Sequence, residues 1–162
     1  MNKEKSCCFT GHRLIPDDRY YRVMFLLRQT VEQKIKEGYT TFCAGGAQGF
    51  DTMAALAVMN LKRVYPQVQL HLYLPCRNQA EKWKSADKEM YNKILKAADK
   101  IVYISDEYTP YCMNRRNRAL VDNSSLCIAY CTQTGGGTVY TVSYAIDNGV
   151  DVINLAEQTD KI

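Results

Sequence analysis

Short apolar runs and amphipathic stretches take turns along the chain. "SCCFTG" (Ser6 to Gly11) is an apolar run closed by a turn and reads as a buried strand. In the stretch 14–38, Tyr20, Met24, Leu27, Val31 and Ile35 recur at helical spacing, with Asp17 as the expected N-cap and Gly38 at the stop. "YTTFCAG" predicts a second strand. A second helix follows over "FDTMAALAVMNLKRVYP", with Met53, Leu56, Ala57, Leu61 and Val64 on its apolar face and Pro66 past its end. "VQLHLYLP" (Val68 to Pro75) is a third strand, "EKWKSADKEMYNKILKAAD" a polar helix and "KIVYIS" a fourth strand. "CMNRRNRALVDNS" predicts a short basic helix, "SLCIAYC" (Ser125 to Cys131) a fifth strand, "GTVYTVSYAIDNG" a helix ended by Gly149, and "VDVINL" a last strand.

Strands that are apolar throughout, alternating with helices, are the mark of parallel β-α-β units covered on both faces. The expected fold is α/β: one Rossmann-like, doubly wound, mostly parallel sheet of about six strands with helices on both faces. One domain is expected to take up all of residues 1–162. Ligands of such sheets bind beyond the carboxyl ends of the strands, where strand order reverses. That rule selects three loops: Thr10 to Arg13, Gly45 to Asp51, and Thr132 to Thr138.

Two of these loops are glycine-rich and lead straight into helices, where unpaired N–H groups and the helix dipole favour an anion, most often phosphate. The expected ligand-binding residues are therefore Gly11, His12, Arg13, Gly45, Gly46, Gly49, Asp51, Arg77, Arg116, Gly135, Gly136, Gly137 and Thr138. Arg13, Arg115, Arg116 and Arg118 are the candidate cations, because a guanidinium fork matches phosphate oxygens. His12, beside Arg13, is a candidate ligand contact, and His71 in the third strand a packed residue. Asp51 is read as a helix cap or a ribose acceptor, with capping the first expectation. Arg77, Gln79 and Trp83, and Tyr108 and Tyr111, are candidates to cover a base. Neither G-x-x-x-x-G-K-[ST] nor G-x-G-x-x-G occurs, which argues against NTP hydrolysis and against NAD or FAD binding.

Composition narrows this little further. The net charge of +4 suits an anionic small molecule and does not by itself imply nucleic acid. The seven cysteines are odd in number and form no C-x-x-C, so they read as small core residues. With only two distant histidines and no paired C-x-x-C, no metal site is expected. No apolar run nears the roughly 20 residues that span a bilayer. The N-terminus "MNKEKSCCF" has no signal-peptide core, and a cytoplasmic location is expected.

"FTGHR", "GGAQGFD", "MNRRNRALVDNSS" and "GGGTVYTVSYA", in that order, resemble the YpsA-like branch of the SLOG superfamily, which groups the DNA-processing protein DprA with the LOG phosphoribohydrolases. The resemblance covers nearly the whole chain. It implies a Rossmann-like fold, a nucleotide-type ligand bearing phosphate, and homodimerisation or a protein partner as options; no cofactor follows from it. LOG proteins carry an arginine on the helix before their last motif, and Arg116 falls there. Their "PGGxGTxxE" stretch is matched at Gly136, Gly137 and Thr138, but its catalytic glutamate falls on Thr141. A threonine cannot exchange protons or stabilise an oxocarbenium-like centre as a carboxylate does. The expected function is accordingly a nucleotide-binding sensor or regulatory protein rather than an enzyme. The alternatives are a LOG-like N-glycosidic hydrolase using Arg116 and Asp51, and a DprA-like single-stranded nucleic-acid binder.

Overall fold

The computed structural model describes residues 2–132 and 135–159. Six strands form one parallel sheet: β1 (Ser6–Gly11), β2 (Thr41–Ala44), β3 (Gln69–Cys76), β4 (Lys100–Ser105), β5 (Leu126–Tyr130) and β6 (Asp151–Asn154). Their order is β4-β3-β2-β1-β5-β6, and every pairing is parallel. The chain first winds outward from β1 through β2 and β3 to β4. It then crosses back to β5 on the other side of β1, so the strand order reverses between β1 and β5.

Side chains alternate across this sheet and differ in size between its faces. Phe9, Phe42, Leu70, Leu72, Leu74, Leu126, Ile128 and Tyr130 belong to one apolar cluster, with Phe9 and Phe42 stacked at 6.2 Å between ring centroids. Against it pack α1 (Tyr20–Lys36), α2 (Phe50–Lys62) and α3 (Ser85–Ala97). Each fully buried Leu or Phe there contributes roughly 1.5–3 kcal/mol. The opposite face carries Cys8, Cys43, Cys127 and Ala129, with Tyr73 as its one large ring in the buried cluster, under α4 (Cys112–Asp122) and α5 (Gly137–Asp147). Six of the seven cysteines are buried, and all seven are free thiols.

Helix ends follow local chemistry, with some departures from the pattern. Gly38, at φ +106°, closes α1 in a Schellman turn: its N–H donates to the Ile35 carbonyl, and that of Tyr39 to Lys34. At the other end Arg19, not Asp17, occupies the N-cap, and no side chain caps the helix. Tyr20 and Met24 are exposed, and the buried stripe of α1 starts at Val23 and Leu26. On α2, Ala54, Ala55 and Val58 are buried while Val64 lies exposed beyond the helix end. The reason is that α2 has neighbours on both flanks, α1 and α3, so its small residues are covered as well as its large ones. A short helix, α6 (Leu155–Thr159), follows β6 without a periodic signal long enough to announce it.

Candidate functional site

The loops after β1, β2 and β5 and one face of α4 enclose a cleft of about 430 Å³ at the carboxyl edge of the sheet. Its walls are Gly11, His12 and Arg13 from the first loop, Ala47 and Asp51 from the second, and Gly135 to Thr138 at the start of α5. Met113, Asn114, Arg116, Asn117 and Leu120 of α4 complete it. The volume lies within the range of small-molecule sites. The cleft sits at the β1/β5 reversal, where open α/β sheets bind ligands.

Its two helix termini differ. Gly136 is the N-cap of α5 at φ +102°, no side chain caps the helix, and a Cβ added at Gly135 or Gly136 would meet nothing. Among the described residues, then, no side chain covers the first amides of α5, which stand at the cleft. The start of α2 is closed. Phe50 N–H donates to the His12 carbonyl at 3.1 Å, and the Arg13 main chain packs against Gly49, which holds φ +78° as N-cap. A side chain at Gly49 would overlap the Arg13 carbonyl.

Arg116 is 5% exposed and is held from two sides. Its Nη1 donates to the Gly45 carbonyl and its Nε to Asn117 Oδ1 at 2.8 Å. Gly45 has to be glycine for this: a Cβ there would lie 2.8 Å from Arg116 Nη1 and 2.9 Å from Asp51 Oδ2. Asp51 is 6% exposed and accepts a hydrogen bond from Ala47 N–H at 3.2 Å. Burial pushes its carboxyl up to about 6, against the opposing pull of Arg116, the Ala47 hydrogen bond and Arg13. Burial likewise lowers Arg116 from the usual guanidinium range, with Asp51 pulling the other way. The Asp51 carboxylate therefore ties down its own turn and does not cap α2.

His12 joins two of the loops. Its Nε2 accepts from Thr132 N–H at 2.9 Å, so a neutral ring carries its proton on Nδ1. The ring also meets Tyr130 edge-on at 6.0 Å. Thr141 is fully buried, and its hydroxyl donates to the Gly137 carbonyl at 2.8 Å.

Of the residues singled out from the sequence, Gly11, His12, Arg13, Asp51, Arg116, Gly135, Gly136, Gly137 and Thr138 line this cleft together. Gly45 lies behind it, under Arg116. Gly46 and Gly49 line a separate hollow on the α2–α3 side. Arg77 is elsewhere: it pairs with Asp106 at 3.0 Å and its guanidinium lies 4.2 Å over the Tyr103 ring. Arg115, Arg118, Tyr108 and Tyr111 are exposed and not among the cleft walls. His71 is buried in β3 with Nε2 against Gln69 Oε1 at 2.8 Å. Gln133 and Thr134 of the third loop lie outside the described residues. Sequence reasoning missed Asn114 and Asn117. Their signal was present: Met113, Arg116, Asn117 and Leu120 follow one helical face, so once Arg116 is in the cleft Asn117 must be near it. Among the described residues no three His, Cys, Asp or Glu side chains gather as a metal ion would require, and no helix is long and apolar enough to cross a membrane.

Comparison with known proteins places this geometry in context. A family model described as the YspA SLOG family matches residues 15–150. The UPF0398 protein OB1025 of Oceanobacillus iheyensis is 32% identical over 114 residues, which make up 69% of this chain and 61% of that protein. The SPbeta prophage-derived protein YoqJ of Bacillus subtilis is 28% identical over 132 residues, 74% of this chain and 77% of YoqJ. Among solved structures, DNA processing protein A (DprA) from Streptococcus pneumoniae aligns with a TM-score of 0.67 at 17% identity, over 93% of this chain and 50% of DprA. DprA from Helicobacter pylori, described by its single-stranded DNA binding mode, aligns at 0.64 and 15% identity over 91% of this chain and 63% of that one. At these identities the structural likeness speaks for the fold alone.

Proposed function

The chain belongs to the YspA SLOG family, and from that premise we propose that it binds a nucleotide or nucleotide derivative by its phosphate, without cleaving it, as a sensor or regulatory protein. One observation carries the reading: the start of α5, which no side chain of the described residues caps, borders a cleft that Arg13 and Arg116 also line. A helix terminus adds roughly 0.3–1 kcal/mol for a bound anion, more when partly buried. A guanidinium contributes charge-assisted hydrogen bonds besides. Asn117, with its Nδ2 3.7 Å from where a Cβ on Gly137 would stand, supplies a further donor beside the same helix start. Asp51 is the one carboxylate among the walls. The non-catalytic part rests on Thr141: its hydroxyl is engaged with Gly137, and it carries no charge to offer a developing cation.

Titration with nucleoside monophosphates, ribose 5-phosphate, NAD and ADP-ribose, followed by thermal shift, tests the reading. At least one phosphate ester is expected to raise Tm with its concentration, and Arg13→Ala to weaken that response. A flat response to all of them would overturn it. A second reading has its own support: a carboxyl near 6 in a ligand cleft is a plausible general acid, which favours N-glycosidic hydrolysis through Asp51. Sustained release of free base that disappears in Asp51→Asn would establish that alternative in place of the first. Oligonucleotide binding that weakens steeply with salt would instead mark a single-stranded nucleic-acid binder, which is what the described binding mode of the H. pylori DprA makes worth measuring.

A further inference from the structure

The hollow that Gly46 and Gly49 border lies between α2, α3 and the β3–α3 loop and holds about 220 Å³. Its interior is apolar and soft: Met53 of α2, Leu72 of β3, Trp83 of the loop, and Met90 and Tyr91 of α3. A packed core ordinarily closes a space of this size, because flexible methionines and small shifts of helices fill it. Here two aromatic rings line the space that remains. Trp83 and Tyr91 meet edge-on at 5.2 Å, and the Tyr91 hydroxyl is steadied by Gln79 Oε1 at 3.4 Å. Apolar space of about 150 Å³ takes one benzene-sized ring, so this hollow has room for a larger planar ring.

Its rim is polar. Gln48, Thr52 and Asp87 stand there, two of them with amide or carboxylate oxygens able to accept from ring N–H groups. Most telling is its position: Ala47 and Asp51 line both this hollow and the anion cleft, so the two spaces share a wall. A ligand with a planar, hydrogen-bonding ring at one end and an anion at the other matches the pair.

We propose that this hollow receives the base of the nucleotide whose phosphate lies in the cleft, with Trp83 and Tyr91 against the ring and Gln48 and Asp87 reading its edge. The proposal rests on the phosphate reading above. The chain supplies its own reporter, since Trp83 is its single tryptophan.

The experiment titrates the full chain with ribose 5-phosphate and with AMP, GMP, CMP and UMP, reading affinity by calorimetry and Trp83 emission in parallel. At least one nucleotide is expected to bind roughly tenfold or more tighter than ribose 5-phosphate, the gain that stacking a base gives, and to change the emission of Trp83. Ala55→Leu, which fills the hollow from α2, is expected to remove that gain while ribose 5-phosphate binds as before. Because Ala55 is buried and a larger residue there also loads the packing of α2, Trp83→Ala is measured beside it and is expected to lose the same gain. Equal affinity for all five compounds with unchanged emission would overturn the base pocket and leave the phosphate reading standing. So would tighter nucleotide binding to which Trp83 and both variants are indifferent. Absence of binding by every compound, ribose 5-phosphate included, would overturn both readings together.

Discussion

Asp51 offers a measurable contest between burial and pairing. Its carboxyl stands at about 6 in the folded chain against 3.8 in the unfolded one, because burial outweighs Arg116, Arg13 and the Ala47 hydrogen bond. Below 3.8 both states hold the proton, and above 6 both have lost it. Between these values the folded state keeps a proton that the unfolded state has released. Stability must therefore fall as pH rises through this window, and the loss totals about 3 kcal/mol at 1.36 kcal/mol per unit. Against a typical 5–15 kcal/mol for a domain, that is a large share. The perturbation is Asp51→Asn, which keeps an oxygen for Ala47 N–H and removes the titration. Urea unfolding of both proteins from pH 4 to pH 8 gives the difference between their stabilities at each pH. Whatever constant effect the substitution has, the difference should drift by roughly 2–3 kcal/mol between pH 4 and pH 8, moving in favour of the variant as pH rises. A flat difference would refute the reasoning. A drift in the opposite direction would mean that Arg116 wins over burial and that the pair behaves as a stabilising salt bridge.

Two further outcomes follow from the same turn. Arg116→Met should cost about 3–5 kcal/mol by urea unfolding, since it strands the Asp51 carboxyl and the Gly45 carbonyl in the interior; combining it with Asp51→Asn should recover part of that loss. Gly49→Ala should lower stability by about 2–4 kcal/mol, strain at positive φ adding to the overlap with Arg13, while Gly136→Ala should cost only the strain, about 1 kcal/mol. Equal losses at the two glycines would contradict the placement of Arg13 over Gly49.

What could be read in advance was what depends on periodicity. Each of the six strands was visible as a run with apolar residues on both faces, because helices cover both sides of a parallel sheet. The reversal rule then brought Arg13, Asp51, Arg116 and Gly136 to one edge without any knowledge of distances. What could not be read was decided by tertiary contact. The glycines at 45, 46 and 49 look like those at 135 and 136 in sequence, yet the former make room for Arg116, Leu74 and Arg13 while the latter have no described atom near where a Cβ would stand. Asp17 has the right chemistry for a cap but lies two residues before Arg19, the position where the chain turns into α1. Arg77 leaves the correct edge of the sheet and is captured by Asp106 and Tyr103. The apolar half of α2 depended on which neighbours would flank it, and a single helix wheel does not contain that information.

The central place of β1 has a consequence for how the molecule is made. β1 pairs early with β2, but its other edge waits for β5, and the Ser6–Ser125 contact closes across 119 positions. Until that late strand arrives, a chain leaving the ribosome carries an unpaired apolar edge through the middle of its nascent sheet. Assembly of this kind is slow and open to mispairing with other chains. The β1/β5 seam that shapes the cleft thus cannot close before Leu126–Tyr130 has been made, and only β6 joins the sheet after it.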